Sequence, residues 1–243
     1  MSVKLKTKLY IHQNIPYSFN WNKQHHKDIY SQLTANREEL NKLRLHFKKI
    51  YEGEIPNNLF NSRNLPRISQ FKIRGIKSTF IRSFSKKLIR SGKIKCYDSK
   101  SKLPQQAQKV MDIYKVNGIP KVPGHEPILK NILIKDKKSI AIEVPIWDEA
   151  ENWSITGHID LIQVENDVVK VIDYKPEGKF IFSLPQVAMY GLLLKSKLNI
   201  KNLKCISFNK EEAWEYDPKV LISDIKDYLI SHQIDKRPWE QYL

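Results

Sequence analysis

Residues 155–175 read ITGHIDLIQVENDVVKVIDYK, and this stretch decides the fold class. Two runs rich in Ile and Val, 155–164 and 168–174, flank the triplet Glu165-Asn166-Asp167. β-branched residues favour strands, and Asn and Asp favour turns, so the stretch is expected to form two successive strands. Side chains at i and i+2 of a strand share a face. Asp173 and Lys175 are therefore expected to project together, with Val169 and Val171 before them on that face. Asp160, on the first strand, is placed to become an antiparallel neighbour of Asp173.

The same reading extends outward. Residues 139–147 are a third strand by composition, and DEAEN at 148–152 suits the connecting turn. Downstream, Pro185 is expected to open an amphipathic helix over 186–197, because proline is favoured at a helix start. A strand over 203–208 and a helix over 218–232 follow. Upstream, 117–127 (NGIPKVPGHEP) reads as a loop with two Gly and three Pro, after a short helix over 103–116. Residues 68–92 read as a helix. Phe71, Ile76, Phe80, Phe84 and Leu88 lie along one stripe, and basic residues fill much of the rest. Residues 54–67 read as a connector. Residues 26–52 read as one helix, with Leu33, Leu40, Leu43, Phe47 and Tyr51 at helical spacings and Gly53 as its stop. The expected fold is α/β: a mixed central sheet flanked by helices, formed by residues 101–243, with a basic, mainly helical region at 1–100.

Two carboxylates on adjacent strands suit a hard cation such as Mg²⁺ or Mn²⁺, which takes oxygen ligands. The backbone carbonyl of Tyr174 is a further candidate oxygen. A lysine two residues beyond the carboxylate is placed to stabilise an attacking water or the charge developing on a phosphate. Glu143, on the preceding strand, is either a third member of this acidic group or an ordinary strand carboxylate. His158 shares a strand face with Asp160 and either lines the cleft or is a buried structural histidine. Gln186 and Tyr190, four apart on a helix, are either a surface pair or substrate contacts. Trp147 and Trp153 flank a hairpin and are expected to pack.

Gly157-His158-Ile159-Asp160, then Asp173-Tyr174-Lys175 thirteen residues after Asp160, then Gln186-x-x-x-Tyr190, resembles the RecB-like branch of the PD-(D/E)XK nucleases, including the Cas4-type exonucleases. The resemblance covers about residues 125–195. It implies a restriction-endonuclease-like core. It also implies a metal-binding histidine upstream of the first Asp, and His125 stands 35 residues before Asp160. By resemblance, His125, Asp160 and Asp173 would be metal ligands, Lys175 the catalytic lysine, and Gln186 and Tyr190 substrate-side residues. The Gln-x-x-x-Tyr type further implies action on ends or single strands, in DNA repair or recombination. The chain departs from Cas4-type proteins in one respect. Those hold an iron–sulfur cluster through four cysteines, and this chain has only Cys96 and Cys205, so no such cluster is expected.

Charge points the same way. Residues 1–120 carry 25 Lys and Arg against 7 Asp and Glu, an excess of 18, whereas residues 121–243 carry 17 against 19. The whole net charge of +16 therefore lies in the N-terminal half, the footprint of a polyanion partner. Between Phe60 and Lys100 the one acid is Asp98, so Lys86, Lys87 and Arg90 are candidate phosphate contacts. The N-terminal basic helices are expected to cap the cleft. No apolar run reaches the length of a signal-peptide core or a membrane span, so a soluble cytoplasmic protein is expected. These observations converge on a metal-dependent DNA nuclease, with an exonuclease expected from the resemblance. A sequence- or structure-selective endonuclease, and a non-catalytic nucleic-acid binder of the same fold, are the alternatives.

Overall fold

The computed structural model of the chain describes residues 4–32 and 37–243. The order begins with β1 (Lys6–His12), β2 (Ile15–Trp21), α1 (Lys23–Gln32), α2 (Arg37–Glu52), α3 (Asn57–Asn61), α4 (Ser78–Arg90) and β3 (Ile94–Tyr97). It continues with α5 (Lys102–Val116), α6 (His125–Lys135), β4 (Ser139–Ala150), β5 (Trp153–Glu165) and β6 (Val168–Tyr174). It closes with α7 (Phe180–Leu198), β7 (Leu203–Phe208), β8 (Ala213–Tyr216) and α8 (Asp224–Ser231).

The eight strands among the described residues form one mixed sheet in the order β1-β2-β4-β5-β6-β7-β8-β3. Every pairing is antiparallel except β6–β7, which α7 connects by a crossover. Two hairpins turn on residue pairs with positive φ, Gln13-Asn14 and Asn166-Asp167. Left-handed backbone at both positions matches the strand twist, and Asn and Asp tolerate it.

Helices cover both faces of the sheet. α5 and α6 pack through Ala107, Ile128, Leu129 and Ile132 onto Ile142, Leu161, Ile172 and Phe208. The larger core gathers α2, α4 and α7 against Val144, Ile162, Val169 and Val171. Val171 and Ile172, adjacent in β6, thus serve opposite cores, as a strand of period two requires.

The strands expected over 139–147, 155–164, 168–174 and 203–208, and the helix over 103–116, are present within a few residues of their expected ends. Several other expectations are corrected. Residues 26–52 are not one helix. His26 Nε2 donates to the Leu40 carbonyl at 3.0 Å, whereas fourteen residues of straight helix span about 21 Å. α1 and α2 therefore fold back on each other, and Leu33 lies outside the described residues. Residues 68–92 are a short 3₁₀ turn at Ile68–Gln70, an irregular stretch, and then α4. Phe71 and Ile73 are buried from that stretch, while Phe80 is half-exposed on α4. The 117–127 loop ends early, because His125 and Pro127 belong to the first turn of α6, where a missing N–H is harmless. Pro185 lies inside α7 and does not open it, and α7 is buried on most of its circumference rather than amphipathic. The 218–232 segment divides into a 3₁₀ turn and α8. β1, β2 and β3 were not expected at all, and they extend the sheet into the N-terminal hundred residues.

Candidate active site

Strand register aligns the acids. Ile142 pairs with Leu161 and Val144 with Ile159, which puts Glu143 opposite Asp160. Leu161 pairs with Ile172, so one further step puts Asp160 opposite Asp173. Three carboxylates therefore occupy one row across β4, β5 and β6. At Glu143 the backbone is left-handed, with φ +50°. That conformation is strained for a residue with a Cβ and breaks the alternation of β4, since Ile142 serves one core and Val144 the other.

The Asp173-Tyr174-Lys175 end of β6 is held on all sides. The Lys175 amide donates to the Phe208 carbonyl at 2.8 Å, fixing the residue against β7. The Lys175 ammonium lies 2.7 Å from Asp173 Oδ2 and donates to Gln186 Oε1 at 3.0 Å. Gln186 Nε2 in turn faces Asp173 Oδ1 at 3.3 Å. The tight loop after β6 brings α7 back over the strand, so that its second turn meets Asp173 and Lys175. Asp160 Oδ2 accepts from the Tyr174 amide at 2.8 Å, and His125 Nε2, at the start of α6, donates to the Tyr174 carbonyl at 2.9 Å. Four elements thus converge within two residues of Asp173.

The electrostatics follow from burial. Glu143 is pushed up to about 8 by burial, with Asp160, Asp173 and Glu126 acting in the same direction. Asp173, 1 % exposed, is pushed up to about 7 by burial and then by Asp160, against the pull of Lys175 and His125. Asp160 is raised to about 6 by burial, while Lys175 and the Tyr174 amide pull it down. Burial disfavours the Lys175 ammonium, but Asp173 and Asp160 outweigh it and raise its pKa. Lys175 thus faces Asp173 and Asp160, while Glu143 is raised by both acids of the row.

The glycine of the G-x-x-D run acquires a reason. A Cβ on Gly157 would lie 2.4 Å from Tyr190 Cε1, so the Tyr190 ring occupies the space a side chain would need. Tyr190 is buried, shares hydrogen bonds with the Gln186 side chain and the His158 backbone, and has its hydroxyl pKa raised by burial and then by Asp173. Gln186 and Tyr190 are therefore not a surface pair. Gln186 holds Asp173 and Lys175, and Tyr190 holds Gln186 and the His158 backbone.

His158 is not brought to the acids. Its ring stacks on Tyr17 at 3.7 Å, meets His12 Nδ1 at 2.9 Å and lies 3.5 Å from Arg67. Burial, then His12 and Arg67, push its pKa well down. Lys86, Lys87 and Arg90 are exposed on α4 and enter no ion pair among the described residues. α2 and α4 both pack on α7, the helix that carries Gln186 and Tyr190. Trp147 and Trp153 pack against the core, as expected.

Sequence reasoning missed Arg67, which pairs by its backbone with Thr156 of β5 and brings one guanidinium nitrogen to the Tyr17 hydroxyl at 2.9 Å and to His158 Nδ1 at 3.5 Å. Nothing local marks it, because its partners come from β2 and β5. The role of Gly157 was legible in principle, since a glycine inside a strand marks a close approach by another group.

The oxygens of the row suit a hard cation, and Asp173 Oδ2 is buried without a hydrogen-bond partner despite its ion pair. Asp173, Asp160, His125 and the Tyr174 carbonyl are nevertheless each engaged by a protein partner. Among the described residues no group of three or more His, Cys, Asp or Glu is gathered closely enough to hold an ion as the side chains stand. Among the same residues, no helix is long and apolar enough to cross a membrane. No protein-family model matches the chain, and a comparison with curated proteins finds no match.

Proposed function

We propose that the chain is a metal-dependent deoxyribonuclease, with β4, β5, β6 and α7 forming a restriction-endonuclease-like core. The observation that carries this reading is the row Glu143, Asp160, Asp173, with Lys175 two residues beyond its last acid. Asp160, Asp173 and Glu143 are the residues that would hold Mg²⁺ or Mn²⁺, with the Tyr174 carbonyl and His125 beside them. Such an ion supplies a polarised water and neutralises charge on the phosphate. Lys175 carries a proton and a positive charge at the edge of the row, where charge develops as the phosphodiester is cleaved. Gln186 fixes the Lys175 and Asp173 side chains relative to each other, and Tyr190 fixes β5 against α7. The basic N-terminal half supplies the attraction for the polyanion.

A pure nucleic-acid binder is the weaker reading, since buried acids that repel one another and the ligand serve no purpose in it. Action on single strands or ends rests on the resemblance of the Gln186-x-x-x-Tyr190 motif. The test is cleavage of end-labelled linear and circular single-stranded DNA in Mg²⁺ or Mn²⁺. Linear DNA is expected to be degraded, circular DNA to survive, and EDTA, Asp160→Asn or Asp173→Asn each to abolish the reaction with melting temperature retained. Cleaved circles would make the protein an endonuclease. Full activity in EDTA or in either variant removes the metal mechanism.

A further inference from the structure

A second site lies between β1, α1 and α2, where a cavity of about 760 Å³ is lined by Lys4, Lys6, Lys23, Lys27 and Arg44 and, among the described residues, by no acid. Each element contributes its cations by its own period. Lys4 and Lys6 are two residues apart at the entrance to β1. Lys23 and Lys27 are four apart on α1, hence on one side of that helix. Arg44 comes from the middle of α2. Among the described residues Lys4, Lys23 and Lys27 make no ion pair or side-chain hydrogen bond and Arg44 donates to Asn41, while Lys6 sits over the Tyr51 ring at 5.1 Å.

Placement on α2 separates this arrangement from general basicity. The same helix pairs Lys42 with Glu38 at 2.8 Å and Lys48 with Glu52 at 3.7 Å, at the i,i+4 spacing that stabilises helices. Acids are thus available on α2 but none of the described residues lining the cavity is one, and Lys4, Lys23, Lys27 and Arg44 stand exposed there. Tyr30 and Trp21 supply an aromatic wall. A concave site with an apolar wall and convergent cations suits a ring attached to several phosphates.

We propose that this cavity binds a small, multiply phosphorylated ligand of nucleoside di- or triphosphate size. The proposal does not depend on the nuclease reading, because none of these residues belongs to the carboxylate row. The test is anisotropy of a fluorescent ATP analogue with wild type, Lys23→Gln/Lys27→Gln/Arg44→Gln, and the charge-matched Lys86→Gln/Lys87→Gln/Arg90→Gln. The cavity variant is expected to weaken binding at least tenfold and the α4 variant less than twofold, with inorganic tripolyphosphate displacing the analogue. Melting curves check folding, and the double variant Lys6→Gln/Lys27→Gln replaces the triple if that melts early. Equal weakening by both triples, or no binding by wild type, overturns the proposal. So does displacement by a single-stranded oligonucleotide but not by tripolyphosphate, which would make the cavity part of a nucleic-acid track.

Discussion

Lys175 is the residue whose surroundings bear most directly on the chemistry. It is clamped between Asp173 and Gln186, 18 % exposed, so its charge is directed into the row and not towards bulk solvent. A group so placed acts on charge that develops during reaction and contributes little to ground-state binding. Lys175→Ala is expected to lower turnover by two orders of magnitude or more, on the scale of losing one positioned charge-stabilising donor, while DNA affinity changes less than threefold. Single-turnover cleavage alongside filter binding separates the two. Equal loss in both would make Lys175 a phosphate anchor.

At the scale of elements, β5 and α7 are locked through Gly157 and Tyr190. Overfilling a packed contact typically costs about 1–3 kcal/mol. Gly157→Ala is expected to destabilise by that amount, and by markedly less in a Tyr190→Leu background, where the obstructing ring is gone. Denaturant unfolding of the four proteins of the cycle measures the coupling, and additivity of the two changes would show that the contact is absent. α4 presents the other element-scale question. Its buried side, Ile81, Phe84 and Leu88, packs inward and leaves Lys86, Lys87 and Arg90 exposed. Replacing all three by Gln is expected to reduce the salt dependence of single-strand binding, whose slope is roughly −0.7 per phosphate contact. Affinity for all sequences is expected to fall alike, since phosphate contacts carry no sequence information. An unchanged slope would turn α4 away from the nucleic acid.

Over the whole molecule, buried histidines and buried acids pull stability in opposite directions with pH. His26 and His46 are each pushed down to about 4 by burial, against the hydrogen bonds they make to the Leu40 and Pro145 carbonyls. His26 also accepts from Trp21 Nε1 on its other nitrogen, so protonation there sets two donors against each other. A histidine with a lowered folded pKa contributes stability that is present above about 6.5 and is lost as pH falls towards 4. The scale is of the order of 3 kcal/mol per group. Glu143, Asp160 and Asp173, all raised, do the reverse and lose their contribution as pH rises through about 6 to 8. The net curve mixes the two, so the informative quantity is a difference. His46→Gln keeps a donor for Pro145 but cannot titrate, and its stability relative to wild type is expected to rise as pH falls from 6.5 to 4. A difference that stays constant across that window would show that His46 is not held neutral.

The strands that carry Asp160, Asp173 and Lys175 were determined locally. Ile and Val composition, the period of two and the Asn166-Asp167 turn all act within a few residues, so no distant partner was needed to read them. The cross-strand meeting of Asp160 and Asp173 followed from the same short turn, because it leaves the register little freedom. Longer-range features escaped. The fold-back of α1 onto α2 depends on a contact fourteen residues away, and the β1–β2 hairpin joins the sheet through the pairing of β2 with β4, more than a hundred residues on. Pro185 signals a helix start by its chemistry, yet burial of α7 on most sides outweighs the loss of one helical hydrogen bond. Tertiary structure alone turned Gln186 and Tyr190 inward, took His158 away to Tyr17 and Arg67, and placed Glu143 in the row. Each of those outcomes is set by which surfaces of separate elements are buried against one another, a quantity that no local pattern encodes.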